Sequence, residues 1–175
     1  MGLFGAVGKL GIKSAAKSLE EARTNRINYF KNSGIIRFGG IADTSKYQGL
    51  PITYFEVPTD NKQKEIMFEM VSKILKKPED QQLASQGKTY FIIAGSITGR
   101  ATSGILAHEK GIWDGSIFVK FIAREDITGI ESDNKGCLCI KTKDGLTNYL
   151  VGSDNRKIKA ESDRFVQLFK EVYNL

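Results

Sequence analysis

The residue types that most often carry out chemistry are few in this chain and far apart. His108 is the only histidine among the 175 residues, so any histidine-based triad or histidine-rich metal site would have to include it. It precedes Glu109 at the end of a predicted strand, where a hydrogen-bonded structural histidine is the simpler interpretation. Cys137 and Cys139 are the only cysteines, and nothing in the spacing brings them to His108 as a zinc site would require. We therefore predict free, buried or half-buried thiols and no metal site.

A second pattern that could bind a ligand is Gly87-Lys88-Thr89, which matches the end of a phosphate-binding loop. That motif needs a glycine five residues before its second glycine, where this chain has Gln82, and a helix after the lysine. Residues 90–93 are Tyr-Phe-Ile-Ile, a strand pattern. The carboxylates around residue 125 are explained by turn capping. The sequence thus predicts no catalytic residue and no cofactor, and the protein is not expected to be an enzyme.

The overall composition is that of an ordinary soluble globular protein, with 41% hydrophobic and 26% charged residues and a net charge of +6. No apolar run approaches the roughly 18–20 residues that cross a bilayer, and no secretory signal pattern is present. Two cysteines one residue apart make a poor staple, which favours a reducing, cytoplasmic setting. Acidic residues interleave with the basic ones in the C-terminal half, so nucleic acid is not predicted as a partner. Without an enzyme signature, a small-molecule substrate is not predicted either.

The positive charge is concentrated at the N-terminus. Residues 1–19 carry Lys9, Lys13 and Lys17 and no acid, and this i, i+4, i+8 spacing forms one stripe on a helix. At 100° per residue, apolar side chains occupy much of the remaining circumference, among them Leu3, Phe4, Val7 and Leu10. A basic amphipathic helix with a broad apolar face is typical of helices that lie in a membrane interface.

Glycines at positions 2, 5, 8 and 11 oppose this helix in water, because each costs about 1 kcal/mol relative to alanine. We therefore expect the segment to become ordered only against another surface. Three surfaces remain open: an anionic bilayer, a protein partner, or the body of the protein itself. The first would place the protein at the inner face of the cytoplasmic membrane.

Residues 34–87 are predicted to form strand-like pieces followed by helices. Two pieces, residues 35–38 and 52–57, are compatible with a hairpin. Asp60 is a suitable N-cap with Gln63 completing a capping box, and apolar residues then follow helical spacing as far as Leu75. Pro78 is placed to open a second, short helix that Gly87 closes.

Residues 88–175 read as seven short strands and one helix. Turn dipeptides separate the strands, which we place at 89–98, 103–109, 111–114, 116–122, 126–131, 137–143 and 146–151. Trp113, on the third of them, is predicted to be buried. The closing helix carries an apolar stripe of Phe165, Leu168, Phe169 and Val172. The fold class predicted is α+β, mainly β in the C-terminal half, with this helix buried over the open end of a curled sheet.

Three stretches of this half resemble bacterial pleckstrin-homology-like domains and the related GRAM domains. Residues 104–113 are similar to their second-to-third strand region, 121–130 to their fourth-to-fifth strand crossing, and 138–145 to their sixth strand and its turn. The resemblance covers about residues 88–175. It implies a seven-stranded, partly open barrel, capped by the C-terminal helix, that binds lipid headgroups, peptides or other proteins and performs no chemistry.

The first hairpin departs from that family. Members that bind phosphoinositides cluster basic residues there, whereas residues 95–103 contain a single basic residue, Arg100. This argues against tight phosphoinositide binding in the usual pocket. Arg100, Lys120 and Arg124 are the candidate contacts for an anionic ligand.

The sequence therefore predicts three segments, 1–33, 34–87 and 88–175, that form a binding module. Its N-terminal helix would dock on a protein partner or an anionic membrane surface. The alternative is an assembly protein, a homo-oligomer in which the N-terminal helices pack on the barrel and no lipid is bound.

Overall fold

The computed structural model describes the backbone of residues 3–97, 100–115 and 118–175, and the side chains of these residues except 3–13, 96 and 97. The described helices are α1 (Leu3–Ser33), α2 (Asn61–Ile74), α3 (Pro78–Ala84), α4 (Arg156–Ala160) and α5 (Ser162–Tyr173). The described strands are β1 (Thr53–Tyr54), β2 (Thr89–Ile97), β3 (Arg100–His108), β4 (Gly111–Gly115), β5 (Val119–Ala123), β6 (Ile127–Ser132), β7 (Leu138–Thr142) and β8 (Thr147–Tyr149). The predicted α+β class is confirmed.

The strands form two antiparallel sheets, one in the order β1-β2-β3-β4-β5 and one in the order β6-β7-β8. The seven strands predicted in the C-terminal half correspond to β2 through β8, with ends that differ by a few residues; the predicted positions 98, 116 and 117 lie outside the described residues. Among the described strands no ladder joins the two sheets, so the barrel is not closed.

The two strand-like pieces before α2 do not pair with each other as a hairpin. β1 pairs antiparallel with β2, through Thr53 and Ile93, and Phe38 forms an isolated parallel bridge to Thr89 at the start of β2. A short 3-10 helix (Thr44–Tyr47) separates them, and Tyr47 is buried in the core. The two pieces therefore contact β2 at different positions, one near its start and one near its middle.

The helix pair α2 and α3 covers one face of the five-stranded sheet. Asp60 caps α2 as predicted, since its carboxylate accepts a hydrogen bond from the Gln63 N–H at 2.9 Å. The core between α2 and the sheet contains Met67, Met70, Val71, Ile92, Leu106 and Trp113. Trp113 is buried, as predicted, and its indole N–H donates to Asp80 of α3 at 2.9 Å.

The opposite face of the same sheet packs against the second sheet and α5. This core contains Phe91, Ile105, Ile112, Ile130, Leu138 and Ile140 together with the α5 stripe of Phe165, Leu168, Phe169 and Val172. The predicted stripe is thus confirmed as core. The hydroxyl of Tyr173 at the end of α5 donates to the Gly111 carbonyl at 2.9 Å and accepts the His108 N–H at 3.1 Å. The five-stranded sheet is therefore buried on both faces.

Candidate docking surface

The N-terminal part of α1 stands apart from both cores. α1 is 31 residues long, and every side chain from residue 14 to residue 22 is exposed. Leu19, a large apolar residue in this stretch, is 72% exposed. Helices in proteins gain most of their stability from packing an apolar face, and no packing of residues 14–22 on the body contributes here.

The C-terminal part of α1 is firmly attached to the body. Ile27 and Phe30 are buried in the core that α2 forms on the five-stranded sheet. Tyr29, on the outer side, donates a hydrogen bond from its hydroxyl to Gln81 of α3 at 3.1 Å. Among the side chains that the structure describes, those of α1 that are buried against the body belong to its C-terminal part.

A buried carboxylate joins this attached part to the sheet. Glu69 of α2 accepts hydrogen bonds from the Arg23 guanidinium at 2.9 Å and from the Ala101 N–H of β3 at 3.1 Å. The Lys73 ammonium lies 3.3 Å from its other oxygen. Burial opposes ionisation of Glu69, but these donors outweigh it and lower the carboxyl pKa to about 2. The ionised Glu69 therefore holds α1, α2 and β3 together.

The exposed part of α1 begins beside the first residue of β3. Glu20 accepts hydrogen bonds from Arg100 at 2.7 Å and from Arg23 at 2.8 Å. Both cations lower the pKa of Glu20. Arg100, which the sequence indicated as a contact for an anionic ligand, is therefore used within the protein to hold α1.

Lys17 is the predicted docking residue whose side chain the structure describes. It is exposed, and its ammonium lies 3.9 Å from Glu21 one turn further along α1. The other predicted docking residues belong to α1 by their backbone, but their side chains lie outside the described set: Leu3, Phe4, Val7, Lys9, Leu10 and Lys13.

The remaining candidate anion contacts, Lys120 and Arg124, have partners on other elements. The Lys120 ammonium donates to the side-chain oxygen of Asn148 in β8. Arg124 donates to the carbonyl of Tyr173, and its guanidinium lies 5.2 Å from the centre of that ring. Arg100 binds α1, Lys120 binds β8 and Arg124 binds the end of α5, so each of the three cations has a partner on a different element. Their role toward an anion stays a prediction.

The histidine and the two cysteines, which are the side chains best suited to catalysis or metal binding, lie in environments that explain them structurally. His108 is buried, its Nδ1 accepts the Lys110 N–H at 3.0 Å, and burial lowers its pKa. Cys137 and Cys139 are free thiols, half-buried and buried, as predicted. The described residues contain no group of three histidine, cysteine or acidic side chains placed to hold a metal.

The sequence analysis did not predict two features of the structure, a buried acid in α2 and an exposed aromatic side chain before β5. Glu69 is the one acid within the apolar run of residues 66–71, and that isolation was the available signal for a buried, paired charge. Phe118 is 89% exposed, the most exposed large apolar side chain in the described part of the chain. Its position three residues after the turn dipeptide Asp114-Gly115 was the available signal.

Comparison with known proteins adds no relative: no protein-family model, no curated protein and no solved structure matches this chain. In the described part of the chain, no helix combines the length and the apolar composition that crossing a bilayer demands.

Proposed function

We propose that this protein is a non-catalytic binding module that docks on an anionic membrane surface through the N-terminal part of α1. The observation that carries the proposal is the helix itself, which is anchored from Arg23 to Phe30 and exposed at every residue from 14 to 22. The basic stripe of Lys9, Lys13 and Lys17 lies on the same helix, beyond the anchored part.

The register of α1 supports an external partner for its apolar positions. Arg23, Ile27 and Phe30 define the side of the helix that faces α2 and the sheet. If the helical spacing of about 100° per residue is continued toward the N-terminus, the sequence predicts positions 3, 4, 7 and 10 roughly 180° from that side. Apolar positions on the opposite side do not extend the packing surface, which favours a bilayer or partner over the protein's own body.

Charge favours an anionic bilayer over an apolar protein partner. Residues 1–19 contain three lysines and no acid, and a lysine at an anionic membrane surface contributes about 1 kcal/mol. Burial of Leu3, Phe4, Val7 and Leu10 in the interface would add an apolar contribution of several kcal/mol. Together these offset the cost of about 1 kcal/mol that each glycine imposes on the helix.

The proposal includes a pleckstrin-homology-like, partly open barrel as the fold of the body behind α1. Four antiparallel strands (β2 to β5), three more (β6 to β8) and a closing helix (α5) follow in the order that the resemblance implies. In this proposal the barrel is a rigid platform that orients α1. Because Arg100 is held by Glu20, docking through the helix is favoured over headgroup binding at the first hairpin.

The alternative is a homo-oligomer that binds no lipid. Its supporting observation is that α2 and the C-terminal part of α1 do cover the five-stranded sheet. The exposed stretch around Leu19 would then pack against a second copy of the chain.

Vesicle co-sedimentation of the full chain and of a variant lacking residues 1–19 tests the proposal. The full chain should pellet with vesicles that contain phosphatidylserine, and the shortened chain should stay in the supernatant. The shortened chain keeps Glu20, Arg23 and the buried contacts, so its melting temperature should be almost unchanged. Failure of the full chain to pellet overturns membrane docking. Loss of a dimer on deletion, without any lipid binding, would establish the alternative.

A further inference from the structure

Phe118 occupies an unusual position for an aromatic side chain. It directly precedes β5 in the connection from β4, and it is 89% exposed. Val151, 58% exposed, begins a short 3-10 helix (Val151–Ser153) after β8. The buried Asp114 of β4 links the end of this strand to the 3-10 helix, because its carboxylate accepts the N–H groups of Val151 at 2.7 Å and Gly152 at 2.8 Å. Phe118 thus follows by four residues the acid that binds the N–H of Val151.

These turns lie at the same end of the five-stranded sheet as the exposed part of α1. Gly152 packs directly on β3, where a Cβ at this position would lie 2.6 Å from the carbonyl carbon of Gly104. Four residues earlier in β3 is Arg100, about 13 Å away along the strand, and Arg100 holds Glu20 of α1. One end of the sheet thus presents both α1 and the pair of Phe118 and Val151.

Positive charge accompanies the two apolar side chains. Arg156 and Lys157 begin α4 shortly after Val151; both are exposed, and neither forms an ion pair with a described residue. Two acids close to these residues in the chain or bonded to Val151 have partners of their own. Asp154 is bound to Lys159 at 2.5 Å, and Asp114 is buried and bonded to backbone N–H groups.

We propose that Phe118 and Val151, together with Arg156 and Lys157 shortly after Val151 in the chain, form a second membrane-contacting surface, which we call the tip patch. The aromatic ring would enter the interface of an anionic bilayer while α1 lies on the same bilayer. An aromatic side chain beside cations suits the boundary between headgroups and acyl chains. Two side chains are too few for a stable protein interface, which needs about 800 Å² on each partner. The inference rests on the proposed function of α1.

Two simultaneous contacts would fix the orientation of the protein on the bilayer. A single helix can rotate and swing on the surface, whereas a helix and a separate turn on one rigid body define a plane. Linked contacts also raise the apparent affinity, because the second contact forms within an already attached molecule.

Tryptophan quenching in the full chain tests the tip patch. Phe118→Trp places a reporter on an exposed position, while the native Trp113 is fully buried and serves as an unquenched internal standard. With phosphatidylserine vesicles that contain brominated acyl chains, the new emission should shift to the blue and lose at least half its intensity. The matched control is Leu146→Trp, because Leu146 is 59% exposed in the connection between β7 and β8, at the opposite end of β8 from Val151. Its emission should not change.

A loss-of-contact variant complements the reporter. Phe118→Ser should weaken binding to anionic vesicles about tenfold, since part of a phenylalanine side chain no longer leaves water. Leu146→Ser should change it less than twofold. Pelleting of the same samples separates the two proposals. Pelleting without quenching of the Phe118→Trp reporter, or equal effects of the two serine variants, overturns the tip patch alone. Absence of pelleting in the unmodified chain overturns the docking of α1 and the tip patch together.

Discussion

The guanidinium of Arg100 lies 2.7 Å from a carboxylate oxygen of Glu20, and this contact marks the point on α1 where its exposed part begins. Arg100 is the first residue of β3, so the hairpin of β2 and β3 contacts α1 through this ion pair. An exposed ion pair contributes little to the free energy of unfolding. Its consequence is geometric, because it sets where the free part of α1 leaves the body.

The two parts of α1 should differ in backbone protection. Residues 14–22 have no buried side chain, whereas Ile27 and Phe30 are part of the core. We expect amides of residues 14–22 to exchange with solvent deuterium at least a hundredfold faster than those of residues 27–33, since local opening of the exposed part breaks no packing. Hydrogen exchange with mass spectrometry measures this directly. Equal protection along the helix would show that the exposed part packs on something in solution.

The Glu69 carboxylate should be the strongest single polar contribution to the attachment of α1. Glu69→Gln removes the charge that Arg23 and Lys73 bind while the side chain stays buried, and we expect a loss of about 2 kcal/mol in the free energy of unfolding. The matched control is Lys17→Gln, because Lys17 is exposed and 3.9 Å from its partner; it should leave the melting temperature unchanged. Similar losses in both variants would contradict the assigned role.

The same carboxylate predicts how stability depends on pH. The pKa of Glu69 falls from an ordinary 4.5 to about 2 in the folded protein, so the unfolded chain takes up the proton first as the pH drops. Its stabilising contribution is fully present above about pH 4.5 and is lost progressively toward pH 2. Thermal melts of the native chain and of Glu69→Gln should therefore converge over this range. A constant difference between them from pH 6 to pH 2 would contradict the assignment.

The crossing of Gly152 over β3 should tolerate no side chain. A Cβ at Gly152 would lie 2.6 Å from backbone atoms of Gly104 and from the Ile105 side chain, so Gly152→Ala should destabilise the fold by about 2 kcal/mol. Gly129→Ala in β6 is the control, because its nearest neighbour, a Lys141 side-chain atom, would lie 3.6 Å away. Chemical denaturation of both variants compares the two sites, and equal stability would show that the crossing is looser than described.

Trp113 should report on the interface between α2 and the sheet. It is fully buried beside α2 residues, so native emission should be blue-shifted and move to the red on unfolding. The fragment 88–175 lacks α2 and leaves Ile92 and Leu106 uncovered. We expect red-shifted emission and no cooperative unfolding from that fragment. Native-like blue emission from the fragment would show that the helices are dispensable for this core.

Local patterns were sufficient to predict much of the fold. The capping residue Asp60, the proline at the start of α3 and the α5 stripe act within a few residues, and each was confirmed. The pairing of β1 with β2 depends on contacts some forty residues apart, which periodicity does not report. The partner of Arg100 was hidden for the same reason, because Glu20 is eighty residues away in the chain.

The central claim is that the lysines of α1 bind an anionic bilayer, and the change of Lys9, Lys13 and Lys17 to glutamine tests it most directly. Each lysine contributes about 1 kcal/mol at such a surface, so the triple variant should bind phosphatidylserine vesicles roughly a hundredfold more weakly. Weak binding to zwitterionic vesicles should remain, and high salt should reproduce the effect on the unmodified chain. Equal affinity of the two proteins for anionic vesicles, or no binding by either, would contradict the account.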